Sequence, residues 1–219
     1  MPEILYADAA VAVVVKPAGV LSQGDAEDAM PVLLQKRLGG AIFPVHRLDQ
    51  PTGGVMVYAR TQDAAAKLSA QMQSEAFGKE SLAVLDGAPE PVEGELHDLL
   101  FFDRQKGKSY AVRRKRAGVK DARLNYRALA QAEGLTLVRV RLFTGRTHQI
   151  RVHMASIGHP LLGDAVYGPK KCPVKNLQGQ TLHAMVLGFI HPRTGAYMEF
   201  EAPLPEYFSN LLLQFRKNV

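Results

Sequence analysis

The sequence predicts an α+β fold built on a mixed, mainly antiparallel sheet flanked by helices. Short runs rich in apolar and β-branched residues recur along the whole length, as strands require. Stretches with helical spacing are interspersed with them in irregular order. Many of the returns between runs look like hairpins.

Taken in order, residues 4–8 and 11–15 read as a strand, a turn and a second, valine-rich strand. Lys16-Pro17-Ala18-Gly19 stops the second strand, because proline removes a donor and glycine permits the turn. Residues 31–38 read as a short helix, with Pro31 in its first turn and Gly39-Gly40 ending it. Residues 55–59 form a buried strand, and Thr61 caps a helix that runs to about residue 76. Strands follow at 81–85, 110–114 and 124–130. Residues 135–142 alternate, with Leu135, Leu137, Arg139 and Arg141 on one face, so that strand is half buried at most. Thr144-Gly145-Arg146-Thr147 forms a turn, and the next helix carries Ile150, Met154 and Ile157 before Gly158 ends it. A strand at 182–190 and a terminal helix at 207–215 complete the reading.

At 219 residues the chain suits one domain, or one domain made of two halves. Its 47% hydrophobic and 22% charged content is that of a globular protein. No apolar run reaches the roughly 18 residues that a bilayer span needs. The N-terminus lacks a basic region followed by an apolar stretch, so no secretory signal is visible. Cys172 is the single cysteine, which rules out a disulfide within the chain and suits the cytoplasm. The net charge of +6 is local. Residues 104–120 hold eight of the 27 basic side chains and no acidic one, which leaves 19 basic against 21 acidic elsewhere. Such a segment is either a solvated loop or a surface for a polyanion, where each neutralised phosphate releases counterions.

Three segments place polar residues where turns interrupt apolar strands. In Pro44-Val45-His46-Arg47-Leu48-Asp49-Gln50-Pro51-Thr52-Gly53-Gly54, a carboxylate precedes a Thr-Gly-Gly turn and a buried strand. Asp49 there caps a turn, or pairs with Arg47, or is a catalytic group on a loop held by the strand. In residues 142–151, Gly145 gives the backbone room and Arg146 lies at a helix start, where N–H groups favour an anion. Arg146 is either a structural surface arginine or the partner that orients an aspartate. The glycines and proline of residues 158–168 look architectural.

Together these segments resemble the RluA-type pseudouridine synthases. His46-Arg47-Leu48-Asp49 with Thr52-Gly53-Gly54 matches that family's aspartate motif, and residues 144–153 match its arginine motif. Gly158-His159-Pro160, Gly163-Asp164, Tyr167-Gly168, Lys16-Pro17-Ala18-Gly19 and Leu182-His183-Ala184 are also family-like. The match runs from about residue 4 to 203 in the family's order. The resemblance implies a sheet in two halves with a central catalytic cleft, and one catalytic domain over residues 1–219 without the S4-type RNA-binding domain of many relatives. It implies that Asp49 is the catalytic aspartate and Arg146 its ion-pair partner, with Leu142 lining the uracil pocket. Arg47 is like the arginine that fills the gap left by the extruded nucleotide, and Thr147 stands beside Arg146 as a substrate contact. One departure is clear: in Lys79-Glu80-Ser81-Leu82-Ala83, Ser81 stands where the family has a tyrosine, so a stacking ring and a phenol are missing.

The implied reaction isomerises specific uridines of structured rRNA or tRNA. The uracil leaving group is retained and its charge spreads over its carbonyls, so one carboxylate suffices where a glycosidase uses two. Asp49 attacks sugar or base, or removes a ribose proton; the residues do not choose among these routes. The target leaves its stack to reach the carboxylate, while Arg113, Arg114, Lys115 and Arg116 hold phosphates. Phe101, Phe102 and Tyr110 are expected in the core rather than as base platforms. No metal or other cofactor is required, and the protein is expected to act as a monomer. The rival class is an RNA-binding protein on the same scaffold that is catalytically weak or silent because of Ser81. Metal hydrolysis lacks a His-Glu-x-x-His pair, and the Gly163–Gly168 stretch lacks the Ser/Thr of a phosphate-binding loop.

Overall fold

The computed structural model describes residues 2–216 apart from 73, 75, 170, 176 and 178. In chain order the strands and helices are β1 (Glu3–Ala7), β2 (Val11–Lys16), α1 (Met30–Leu38), β3 (Phe43–Pro44), β4 (Gly53–Ala59), α2 (Gln62–Gln71), β5 (Gly78–Asp86) and β6 (Glu93–Asp103). They continue as β7 (Lys108–Val112), β8 (Val119–Ala132), β9 (Leu135–Leu142), α3 (Gln149–Ser156), β10 (Leu182–Ile190), β11 (Tyr197–Glu201) and α4 (Glu206–Arg216). The chain divides into two compact units, one of Met1–Glu80 with His183–Pro203 and one of Ser81–Leu182 with Leu204–Val219.

In the first unit, β2 lies antiparallel between β1 and β4, and β11 runs antiparallel to β10. The parallel element is β10 against β4, with His183 opposite Gly53 and Ala184 opposite Gly54. Every residue of β4 is buried, as a strand covered on both faces must be. On one side Val11, Val13, Val55 and Val57 pack with Leu68, Phe77 and Phe189, and on the other Val14, Met56 and Tyr58 pack with Met30 and Leu34 of α1. Thr61 caps α2 by accepting from the Ala64 amide at 3.1 Å. That helix stops at Gln71 rather than near residue 76; positions 73 and 75 of the expected extension lie outside the described residues.

The second unit carries the strand order β5-β9-β8-β6-β7, with antiparallel β6–β7, β6–β8 and β8–β9 pairs. Val138 and Val140 of β9 face Ile150 and Met154 of α3 in one core cluster, while Arg139 and Arg141 are exposed. The expected half-burial of β9 is what the alternation produces. β6 and β11 were not anticipated, and the strand expected at 110–114 sits at Lys108–Val112. The result is an α+β fold with a mixed, mostly antiparallel sheet.

Candidate active site

The loop carrying Asp49 is fastened from both sides to the segment that follows β2. Ser22 Oγ donates to the Leu48 carbonyl at 2.9 Å, and the Gly19 amide donates to the Gln50 carbonyl at 2.8 Å. Gln50 Nε2 returns a bond to the Gly19 carbonyl at 3.0 Å. Lys16, with no exposed surface, aims Nζ into the same place and donates to Pro17, Val20 and Gln50 carbonyls at 2.9, 2.6 and 3.1 Å. Burial pushes the Lys16 ammonium down to about 8, and the nearby Asp49 carboxylate works against that fall. Sequence reasoning assigned Lys16 no role. The available signal was a lysine ending a strand of five consecutive valine or alanine residues, directly before a Pro-x-Gly turn.

Upstream of the carboxylate, His46 Nε2 accepts the Val57 amide of β4 at 3.1 Å, and its ring meets Phe77 edge-on at a centroid distance of 5.7 Å. An accepting Nε2 fixes the proton on Nδ1. Enclosure of the ring, with the Lys79 charge adding to it, pushes His46 down to about 3, so it is neutral wherever the protein functions. Downstream, the Thr52 amide closes a turn onto the Asp49 carbonyl at 3.0 Å. Gly54 then takes φ +129°, and a Cβ there would overlap the Ala184 backbone. Only glycine fits that approach. Asp49 itself is partly buried and Arg47 is exposed.

In the second unit, Leu142 ends β9, partly buried against the cluster of Ala83, Leu85, Val140 and Ile150. Phe143 follows, with the Arg123 guanidinium 4.4 Å from its ring centroid. The Arg146 turn is gripped from β8: Arg146 Nε donates to the Asp121 carbonyl at 2.7 Å, and Thr144 Oγ accepts the Arg123 amide at 2.9 Å. The buried Gln149 carboxamide accepts the Arg146 amide at 2.9 Å. The anion expected at this helix start therefore meets an amide already in use. His148 caps α3 with φ +57° and no side-chain cap bond, and the Thr147 carbonyl accepts Ser109 Oγ at 2.6 Å.

Ser81 is buried on β5, at 5% exposure, so it faces protein rather than open solvent. Leu142, Arg146, Thr147 and Ser81 all belong to the second unit, and Asp49 and Arg47 to the first. Residues 113–118 form the exposed connection between β7 and β8, with Arg113, Arg114, Lys115 and Arg116 all exposed. Phe101, Phe102 and Tyr110, expected in the core, are only partly buried. Phe101 and Tyr110 face each other across β6 and β7, and the Arg116 guanidinium covers Phe101 at 4.7 Å. β7 is the last strand of its order, so Tyr110 sits on an edge strand while Phe101 lies on the strand inside it. In the 158–168 segment, Asp164 pairs with buried Arg151 at 2.7 and 2.8 Å and accepts the Val166 and Tyr167 amides. Burial alone would raise the Asp164 pKa; Arg151 and the two amides hold it below the usual carboxylate value. Its role is architectural, as its glycines suggested.

The family model described as RNA pseudouridylate synthase matches residues 10–156. The chain belongs to that family. An uncharacterized RNA pseudouridine synthase of Bacillus subtilis is 37% identical over 227 residues, spanning 99% of this chain and 73% of the relative. The ribosomal large subunit pseudouridine synthase D of Pseudomonas aeruginosa is 38% identical, over 99% of this chain and 72% of its own. The solved structure of human RNA pseudouridylate synthase domain containing 4 is 27% identical with a TM-score of 0.79, covering 98% of this chain and 93% of that one. The synthase is thus an isomerase that converts uridine to pseudouridine in RNA. No helix among its described residues is long and apolar enough to cross a membrane.

Proposed function

We propose that this synthase modifies a specific uridine of large-subunit ribosomal RNA, with Asp49 as the catalytic carboxylate and Arg146 as the guanidinium that holds it. The relatives of Pseudomonas aeruginosa and Zymomonas mobilis are ribosomal large subunit pseudouridine synthases, which supports a ribosomal target over a transfer RNA. The observation that carries the assignment of Asp49 is its loop, docked at Leu48 and at Gln50 on either side of the carboxylate. A group so held keeps its position when an extruded nucleotide arrives, which is the condition for rate gain by orientation.

In the reaction the bond from ribose C1′ to uracil N1 breaks, the base turns, and C1′ bonds to C5. The C5 proton is lost and N1 gains one, so the product is an isomer and no oxidant or metal enters. Asp49 meets the ribose or base as an anion in each of the routes open to it. Leu142 lines the uracil pocket, with Thr147 beside it, and Arg47 fills the vacated stack. Ser81 brings no ring, so stacking on the base falls to none of these residues and the chemistry rests on carboxylate and guanidinium. Arg113, Arg114, Lys115 and Arg116 contact phosphates without reading bases. The synthase acts as a cytoplasmic monomer; the lone cysteine suits that compartment.

Pseudouridine mapping of ribosomal and transfer RNA from cells with and without the protein tests the proposal. Loss of one large-subunit site on deletion, restored by the wild-type gene, is the expected result. Loss confined to transfer RNA overturns the ribosomal assignment, and an unchanged map overturns the reaction.

A further inference from the structure

We infer that Gln149 is the positioning residue for Arg146 and that its carboxamide sets where that guanidinium can stand. This rests on the reading of Arg146 given above. Gln149 is 3% exposed, at the first position of α3. Its Oε1 accepts twice, from Thr144 Oγ at 2.8 Å and from the Arg146 amide at 2.9 Å. Its Nε2 donates to the Arg123 carbonyl of β8 at 3.1 Å. Thr144 closes the ring, because its Oγ accepts the Arg123 amide at 2.9 Å. One side chain thereby ties both flanks of the Thr144-Gly145-Arg146 turn to a single residue of the sheet.

The chemistry of this place admits few side chains. It requires two acceptor sites on one oxygen and a donor beside it, which among neutral side chains of this length only glutamine supplies. A second grip lies two residues earlier on β8, where the Asp121 carbonyl takes Arg146 Nε at 2.7 Å. The two grips use the backbone amide and Nε of Arg146, so the guanidinium's terminal nitrogens lie at the outer end of a side chain fixed at its base and near its tip. A network anchored on one buried carboxamide holds one arrangement firmly, and removing that member strands the others. Gln149 touches no reacting atom in this account. It acts through Arg146.

The test is a double-mutant cycle on the full chain with a single-site RNA substrate, reading single-turnover rate and RNA Kd. Gln149→Met keeps the volume and loses all three bonds. Displacement of the guanidinium by about an ångström lowers the rate on the order of 100-fold, with Kd within about threefold of wild type. Arg146→Met lowers the rate at least as much. The double variant is no slower than Arg146→Met alone, because two residues acting as one unit do not add. Gln149→Glu keeps both acceptor contacts but sets an acceptor against the Arg123 carbonyl, so its rate falls between wild type and the methionine variant. It carries the test should the methionine variant fail to fold. Multiplicative losses in the double variant, or a glutamate variant as slow as the methionine one, overturn the inference and leave Arg146 in its role. A wild-type rate for Arg146→Met overturns the reading of Arg146 itself, whatever the Gln149 variants do.

Discussion

The loop that carries Asp49 is fastened in part by side chains that titrate, whereas the turn that carries Arg146 is fastened by side chains that do not. Lys16 and His46 hold the first through a buried ammonium and a neutral imidazole. Gln149 and Thr144 hold the second through a carboxamide and a hydroxyl. The backbones differ in the same sense. The Asp49 loop ends in Gly54, pressed onto Ala184 by a parallel strand pair, while the end of α3 after the Arg146 turn is closed by Gly158 in open space. A carboxylate seated among buried groups depends on their protonation states. A turn locked by a carboxamide, a hydroxyl and a guanidinium, none of which changes charge near neutral pH, answers to geometry alone.

The largest expected effect separates the two glycines. Gly54→Ala places a Cβ into the Ala184 backbone at a φ that side chains avoid, so a loss above about 3 kcal/mol is expected in urea unfolding. Gly158→Ala meets only the strain of its φ of 88°, about 1 kcal/mol. Equal midpoints for the two variants would break the comparison at its backbone level.

The next effect is in pH. His46 is pushed down to about 3 in the folded protein, so between its ordinary value of 6.5 and about 3 the unfolded chain binds a proton that the folded one refuses. Stability from this group is complete above pH 6.5 and is lost as the pH falls through that window, by up to about 1.4 kcal/mol per pH unit. His183 of the first unit, pushed down to about 4 by burial, and His153 of α3, also lowered by burial, add to the same trend. His46→Gln, whose oxygen can still accept the Val57 amide, flattens the acid limb of a stability–pH profile. An unchanged limb would show that His46 does not carry the pH sensitivity of the Asp49 loop.

The smallest effect lies in binding. Replacing Arg113, Arg114, Lys115 and Arg116 by glutamine weakens RNA binding at low salt and flattens the slope of log Kd against log salt by about 2 to 3. The rate of the bound complex stays at the wild-type level. A salt slope equal to wild type removes this loop from the phosphate contacts.

Much of this was legible in the sequence wherever the signal is local. Thr61 precedes a helical run and caps it, Gly39 ends α1, and the buried valines of β2 and β4 announce strands. The Asp49 and Arg146 segments also showed themselves, since a polar cluster between apolar strands is a local pattern. β6 did not, because Gly94, His97 and Asp98 are poor strand formers and its extended form comes from pairing with β8 and β7. Lys16 and Gln149 escaped for a related reason. Each has a distant anchor, 34 and 26 positions away at Gln50 and Arg123, and no spacing rule links such pairs. Tyr110 looked like a core residue because aromatic content says nothing of which strand, here β7, lies at an edge.

The measurement that bears most directly on Asp49 is single-turnover pseudouridine formation by Asp49→Asn, with RNA affinity measured on the same sample. The variant keeps the loop and removes the charge. Product formation is expected to fall below detection while Kd stays within a few-fold of wild type. Pseudouridine formed at the wild-type rate would contradict the central claim.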